Sequence, residues 1–177
     1  LWKYEEEVYA GRKQLIQDYF DTQRELMDEN ISALEEKIDI LSNESVDSDG
    51  NFLNPKEKFS EIRSAYTEIL THIDNLINEI VQSGVEGHED MLAELEKQRE
   101  EYSKTLDDVF KDEINSEIEY LEWLQEEQTK VYDERIDALE KEKSAIEERY
   151  DAEIKKLQDK NDEEKRTNDL IKARQDL

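Results

Sequence analysis

The residues that could do chemistry in this chain are few, and each has a structural reading beside it. The segment Ser45-Val46-Asp47-Ser48-Asp49-Gly50-Asn51-Phe52 has the acid and glycine content of a calcium loop. With Gly50 at the sixth position of an EF-hand, Asp47 and Asp49 take the third and fifth, but Ser45 and Lys56 fall at the first and twelfth, where an Asp and a bidentate Glu are required. The two strongest ligands are therefore missing. A polar turn or a very short hairpin is expected instead, with Asp49-Gly50 as its turn dipeptide. Glu68 and His72 stand four apart and would share a helix face, but a di-metal site in a bundle needs two Glu-x-x-His motifs with further inward Glu residues, and neither occurs. His72 is expected on a partly exposed flank. His88-Glu89-Asp90 reads as a helix start, with acids at the positive end of the dipole and without the second His of a zinc helix.

Two His, no Cys and no glycine-rich phosphate loop leave no material for a nucleophile, its base or a phosphate cradle, so no enzyme and no cofactor are expected. Tyr120, Trp123, Tyr132 and Tyr150 resemble a base-stacking platform. However, 50 acidic against 24 basic residues give a net charge of -26, which repels a phosphate backbone. Helix-helix contacts are the better use for these rings, and no nucleic-acid partner is expected. No run of about 18 apolar residues exists, so no membrane span is expected either. The absence of Cys fits an intracellular or virion protein. Starting at Leu1 without Met or a signal pattern, and ending inside a helical pattern, the chain reads as a piece of a longer polypeptide.

The elements that must position these residues follow from composition and period. Of the 177 residues 42% are charged and 35% hydrophobic, with only 4 Gly and 1 Pro. So few turn formers cannot supply a sandwich, a barrel or a doubly wound sheet, and the expected class is all-α. Two breaks, at 43–54 and 83–87, separate helices expected at about 2–42, 55–83 and from 89 onward. The first helix carries Ile16, Phe20, Gln23, Met27, Ile31, Leu34, Ile38 and Leu41 at spacings of three or four, hence on one face. The second opens with Asn54-Pro55-Lys56-Glu57, an N-cap, a proline at the first helical position and a Glu able to reach back. Its stripe of Phe59, Ile62, Tyr66, Ile69, Ile73, Leu76 and Ile80, widened by Ala65, Leu70, Ile77 and Val81, needs two neighbours. An antiparallel three-helix bundle over residues 1–118 is the economical packing.

The third helix outlasts its partners. Residues 119–177 are expected to continue it as one projecting coiled-coil helix, laced by pairs such as Glu100 with Lys104, Asp107 with Lys111, Glu126 with Lys130 and Asp151 with Lys155. Within it Tyr132-Asp133-x-x-Ile136-x-x-Leu139 recurs as Tyr150-Asp151-x-x-Ile154-x-x-Leu157, and a weaker copy precedes at Ile114, Ile118 and Leu121. The period is 18 residues, which at about 100° each close five turns, so the copies stack on one face. Polar Gln125, Gln128, Lys143 and Asn161 lie along or beside the stripe, where such residues set register or oligomer state. Residues 140–177 carry 12 acidic and 10 basic residues, leaving -24 for residues 1–139. The nearly neutral part is the better suited to self-association. The expected helix-helix seam is Ile118, Leu121, Tyr132, Ile136, Leu139, Ile146, Tyr150, Ile154 and Leu157, making the chain a homo-oligomer. A monomer with the last helix folded back is the competing arrangement.

The stretches Ile136-Asp137-Ala138-Leu139-Glu140-Lys141-Glu142-Lys143 and Glu147-Glu148-Arg149-Tyr150-Asp151-Ala152-Glu153-Ile154-Lys155-Lys156-Leu157 resemble the helical part of tail tape-measure proteins of long-tailed phages that infect Gram-positive bacteria. The resemblance covers residues 110–177. It implies a virion scaffold that sets tail length, nucleates the tube around itself, fills its lumen and leaves during DNA ejection. Tail-tube and tail-assembly proteins would be its partners, in the phage tail or in host cytoplasm during assembly. It carries over no catalytic residue, and no wall-degrading or membrane-inserting segment has a counterpart here. A bacterial coiled-coil adaptor that binds partners through its acidic bundle is the alternative function.

Overall fold

The computed structural model describes all 177 residues, and the chain is all-α. Three helices follow one another, α1 (Trp2–Ser42), α2 (Pro55–Ser83) and α3 (Glu89–Gln175). By its contacts the chain divides into two compact units, Leu1–Trp123 and Leu124–Leu177, and α3 runs through the division as one helix.

The helix ends are made by the residues that the sequence marks. Asn54, extended at φ -62 and ψ 118, accepts the Lys56 N–H on its side chain at 3.0 Å, and Pro55 follows where no N–H is needed. Gly84 closes α2 in the left-handed conformation at φ 63. Between α1 and α2 the hairpin is real but minimal: Val46 and Phe52 form one antiparallel bridge around Gly50 at φ 81. The Asp47 carboxylate accepts the N–H groups of Asp49 at 2.9 Å and Asn51 at 3.0 Å. That acid is therefore committed to holding its own turn. Lys58 donates to the carbonyl oxygens of Ser42 at 3.5 Å and Glu44 at 2.8 Å, so a cation covers the negative end of α1.

Polar pairs within the first unit give the directions of the helices. Lys58, near the start of α2, meets the end of α1, so α1 and α2 are antiparallel. Arg63 pairs with Glu113 at 3.1 Å and Asp74 with Arg99 at 2.6 Å, an opposite order along α2 and α3. Arg24 with Gln98 and Glu35 with Tyr102 run in the same order along α1 and α3. The three-helix bundle is thus up, down and up. Its core joins Phe20, Met27, Ile31 and Ile38 of α1 to the α2 stripe and to Leu95 and Val109 of α3. Ile69, Ile73 and Leu95 have no exposed surface at all. The wide face of α2 lies between two neighbours, as its width requires, although Val81 at its edge faces solvent.

Candidate interaction surfaces

No group of three or more His, Cys, Asp or Glu side chains is placed to hold a metal ion. Glu68 and His72 lie 3.9 Å apart on the flank of α2, both partly exposed. Tyr132 and Tyr150 face solvent, whereas Trp123 stacks with Tyr120 at 5.9 Å and meets Phe52 at 5.7 Å.

His88 stands at the start of α3, as expected, with Glu89 and Asp90 in the first turn. It is buried, with its ring edge-on to Phe20 at a centroid distance of 5.1 Å, and its Nε2 has no hydrogen-bond partner. Gly87 explains the burial. At φ 98 it turns the chain sharply, and a Cβ there would come within 2.9 Å of the Gln17 side chain of α1. The chain passes beside the Gln17 side chain of α1, and the next residue, His88, goes inward. Glu89 then caps α3 from the other side, accepting the Gly87 N–H at 3.1 Å, and its own and that N–H hold its carboxyl below the ordinary range.

Two tyrosines show where acids enter the bundle wall. Tyr102 donates to Glu35, and desolvation first, then that hydrogen-bonded carboxylate, pushes its hydroxyl well above the ordinary range. Tyr66 is raised for the same reasons, burial first and then the charges of Glu35 and Asp39. The Tyr102 hydrogen bond ties α3 to α1, and the Tyr66 ring lies 6.4 Å from that of Tyr102.

Two surfaces remain. One is the stripe on α3. Ile118 and Leu121 belong to the first unit, and Tyr132, Ile136, Leu139, Ile146, Tyr150, Ile154 and Leu157 to the second. All nine are between 40% and 66% exposed. Every residue from 128 to 177 is exposed, and the second unit has only Leu124 half-buried among its apolar side chains. Its internal support is local, such as Lys130 with Glu127 at 3.2 Å and Lys143 with Glu147 at 3.9 Å. Pairs of that kind help the helix by about 0.2 to 0.5 kcal/mol each and cannot substitute for a buried face.

The other surface is a groove of about 630 Å³ in the first unit, between the hairpin, the start of α2 and the last packed turns of α3. Leu41, Phe52, Leu53 and Tyr120 line it, and Glu44, Glu57, Glu61 and Glu119 surround it. Its one cation, Lys58, is engaged on the α1 carbonyls. Sequence patterning did not single this groove out. The only signal was the pair Phe52-Leu53, apolar residues inside an otherwise polar loop.

No helix is long and apolar enough to cross a membrane. No family model matches the chain, and no curated protein or solved structure matches it significantly.

Proposed function

We propose that the chain is a structural assembly element, a helical protein that works by laying the α3 stripe against other helices. The observation that supports the reading is the second unit itself: an unbroken helix in which none of a regular row of Ile, Leu and Tyr is buried. A helix in water without a buried face gains little from intrinsic propensity, so such a row is sustained by company. Homo-oligomerisation through this stripe is the form of company proposed.

The proposed setting is the tail of a long-tailed phage, with the chain as a segment of its tape-measure protein. The 18-residue repeat would then be a unit of length, worth about 27 Å at 1.5 Å per residue. Deleting residues 133–150 from the parent protein removes one period and keeps the stripe in phase. Tails shortened by about 27 Å in electron micrographs support the reading. Tails of unchanged length contradict it.

A further inference from the structure

Charge is unevenly distributed in this chain, and one short segment goes against the trend. Residues 1–139 carry -24, whereas Lys165–Gln175 holds four basic residues, Lys165, Arg166, Lys172 and Arg174, against one acid, Asp169. The segment is helical throughout. Arg166, Leu170 and Arg174 are spaced by four and so share a face, with Ile171 beside them. Leu170 and Ile171 are 69% and 50% exposed. The segment is a basic helix end with an apolar centre and nothing packed on it.

The groove in the first unit has the opposite character: an apolar floor including Phe52, Leu53 and Tyr120, and a rim including Glu57, Glu61 and Glu119. We infer that this groove receives the Lys165–Gln175 segment of a second copy of the chain, with Leu170 and Ile171 on the floor and the flanking cations against the rim glutamates. The contact is heterologous, because the surface given and the surface received differ. It therefore joins copies head to tail, in a ring or an open file according to whether the rotation closes. Complementary charge steers the encounter and fixes which end meets which groove, and salt weakens it. The inference goes beyond the α3 stripe and uses none of its residues, so either can fail alone.

The test uses the full chain carrying Trp2→Phe, which leaves Trp123, stacked on Tyr120 and tilted against Phe52, two residues that line the groove, as the only tryptophan. A synthetic peptide of residues Lys165–Gln175 is titrated in at low salt. The expected result is a saturable shift in Trp123 emission that weakens with added salt. Glu57→Lys, Glu61→Lys and Glu119→Lys together should weaken binding at least tenfold, and a peptide with its four cations changed to Glu should bind that triple variant and not the unaltered groove. Circular dichroism shows that the triple variant remains folded. A Trp123 signal that the peptide does not move, or a titration that the rim reversals leave unchanged, overturns the inference. Variants Ile136→Asp and Ile154→Asp, which break the stripe, should leave the titration as it was.

Discussion

The Phe52 ring lies 5.7 Å from the Trp123 ring at an interplanar angle of 44°, so the connection between α1 and α2 is fastened to α3 at the last residue of the first unit. Tyr120, stacked on the same indole, completes a small aromatic cluster. Aromatic pairs of this kind contribute about 0.5 to 1.5 kcal/mol beyond the area they bury. Phe52→Ala should therefore destabilise the first unit by about 1 to 2 kcal/mol and move Trp123 emission to the red. Denaturant unfolding followed by tryptophan fluorescence checks both, and an unchanged midpoint would show that the hairpin does not hold to α3.

The bundle core and the α3 stripe contain similar residues in opposite environments. Ile69 and Ile73 have no exposed surface, whereas Ile136 and Ile154 are about half exposed. Ile69→Ala should cost about 2 to 5 kcal/mol, by lost burial and the cavity left behind. If the proposed association buries Ile154, Ile154→Ala should cost little in dilute solution and more as concentration rises. Thermal melts of both variants at several protein concentrations separate these cases.

His88 allows a test of the buried, unpaired nitrogen. His88→Leu keeps most of the volume against Phe20 and removes an unsatisfied polar atom, so stability should hold or rise. His88→Ala should lose about 1 to 3 kcal/mol through the void it leaves. If the leucine variant melts well below the parent, the ring nitrogen has a partner that the fold depends on.

The pH response follows from two groups shifted in opposite directions. The Glu89 carboxyl is lowered from an ordinary value near 4.5, so its contribution is complete above that value and is lost as pH falls through the lowered one. The stability difference between parent and Glu89→Gln should accordingly shrink on acidification. Tyr102 is raised from an ordinary value of 10.0, so its contribution is complete below that pH and fades above it, where the unfolded chain gives up the proton first. Tyr102→Phe should flatten the alkaline limb of the stability curve. A parent curve as flat as the variant's above pH 10 would count against this account of Tyr102.

Much of the fold was legible because its signals are local. Asn54-Pro55 starts α2, Gly84 ends it, and the stripes of α1 and α2 name the buried residues by period alone. What was not legible depends on neighbours brought across space. His88 reads as a polar residue at a helix start until Gly87 and Gln17 fix how closely the chain approaches α1. The acid partners of lysines were also only partly readable. Lys104 takes Glu100 four residues back at 3.4 Å, but Lys111 and Lys130 take Asp108 and Glu127 three residues back, since both spacings lie within reach on a helix. The groove escaped the sequence for the same reason: Phe52, Tyr120 and Glu61 come from three separate segments, and no period links them. The period of the α3 stripe is legible in the sequence because it is local, and its residues are exposed in the chain.

Sedimentation velocity over a range of concentrations tests the proposed self-association along α3 most directly. At a salt concentration that suppresses the charged groove contact, the chain should sediment as an oligomer that dissociates on dilution, and Ile136→Asp with Ile154→Asp should reduce it to a monomer at the same concentrations, with helicity lost only beyond the bundle. A parent chain that is monomeric throughout, or an oligomer indifferent to both aspartates, would contradict the claim.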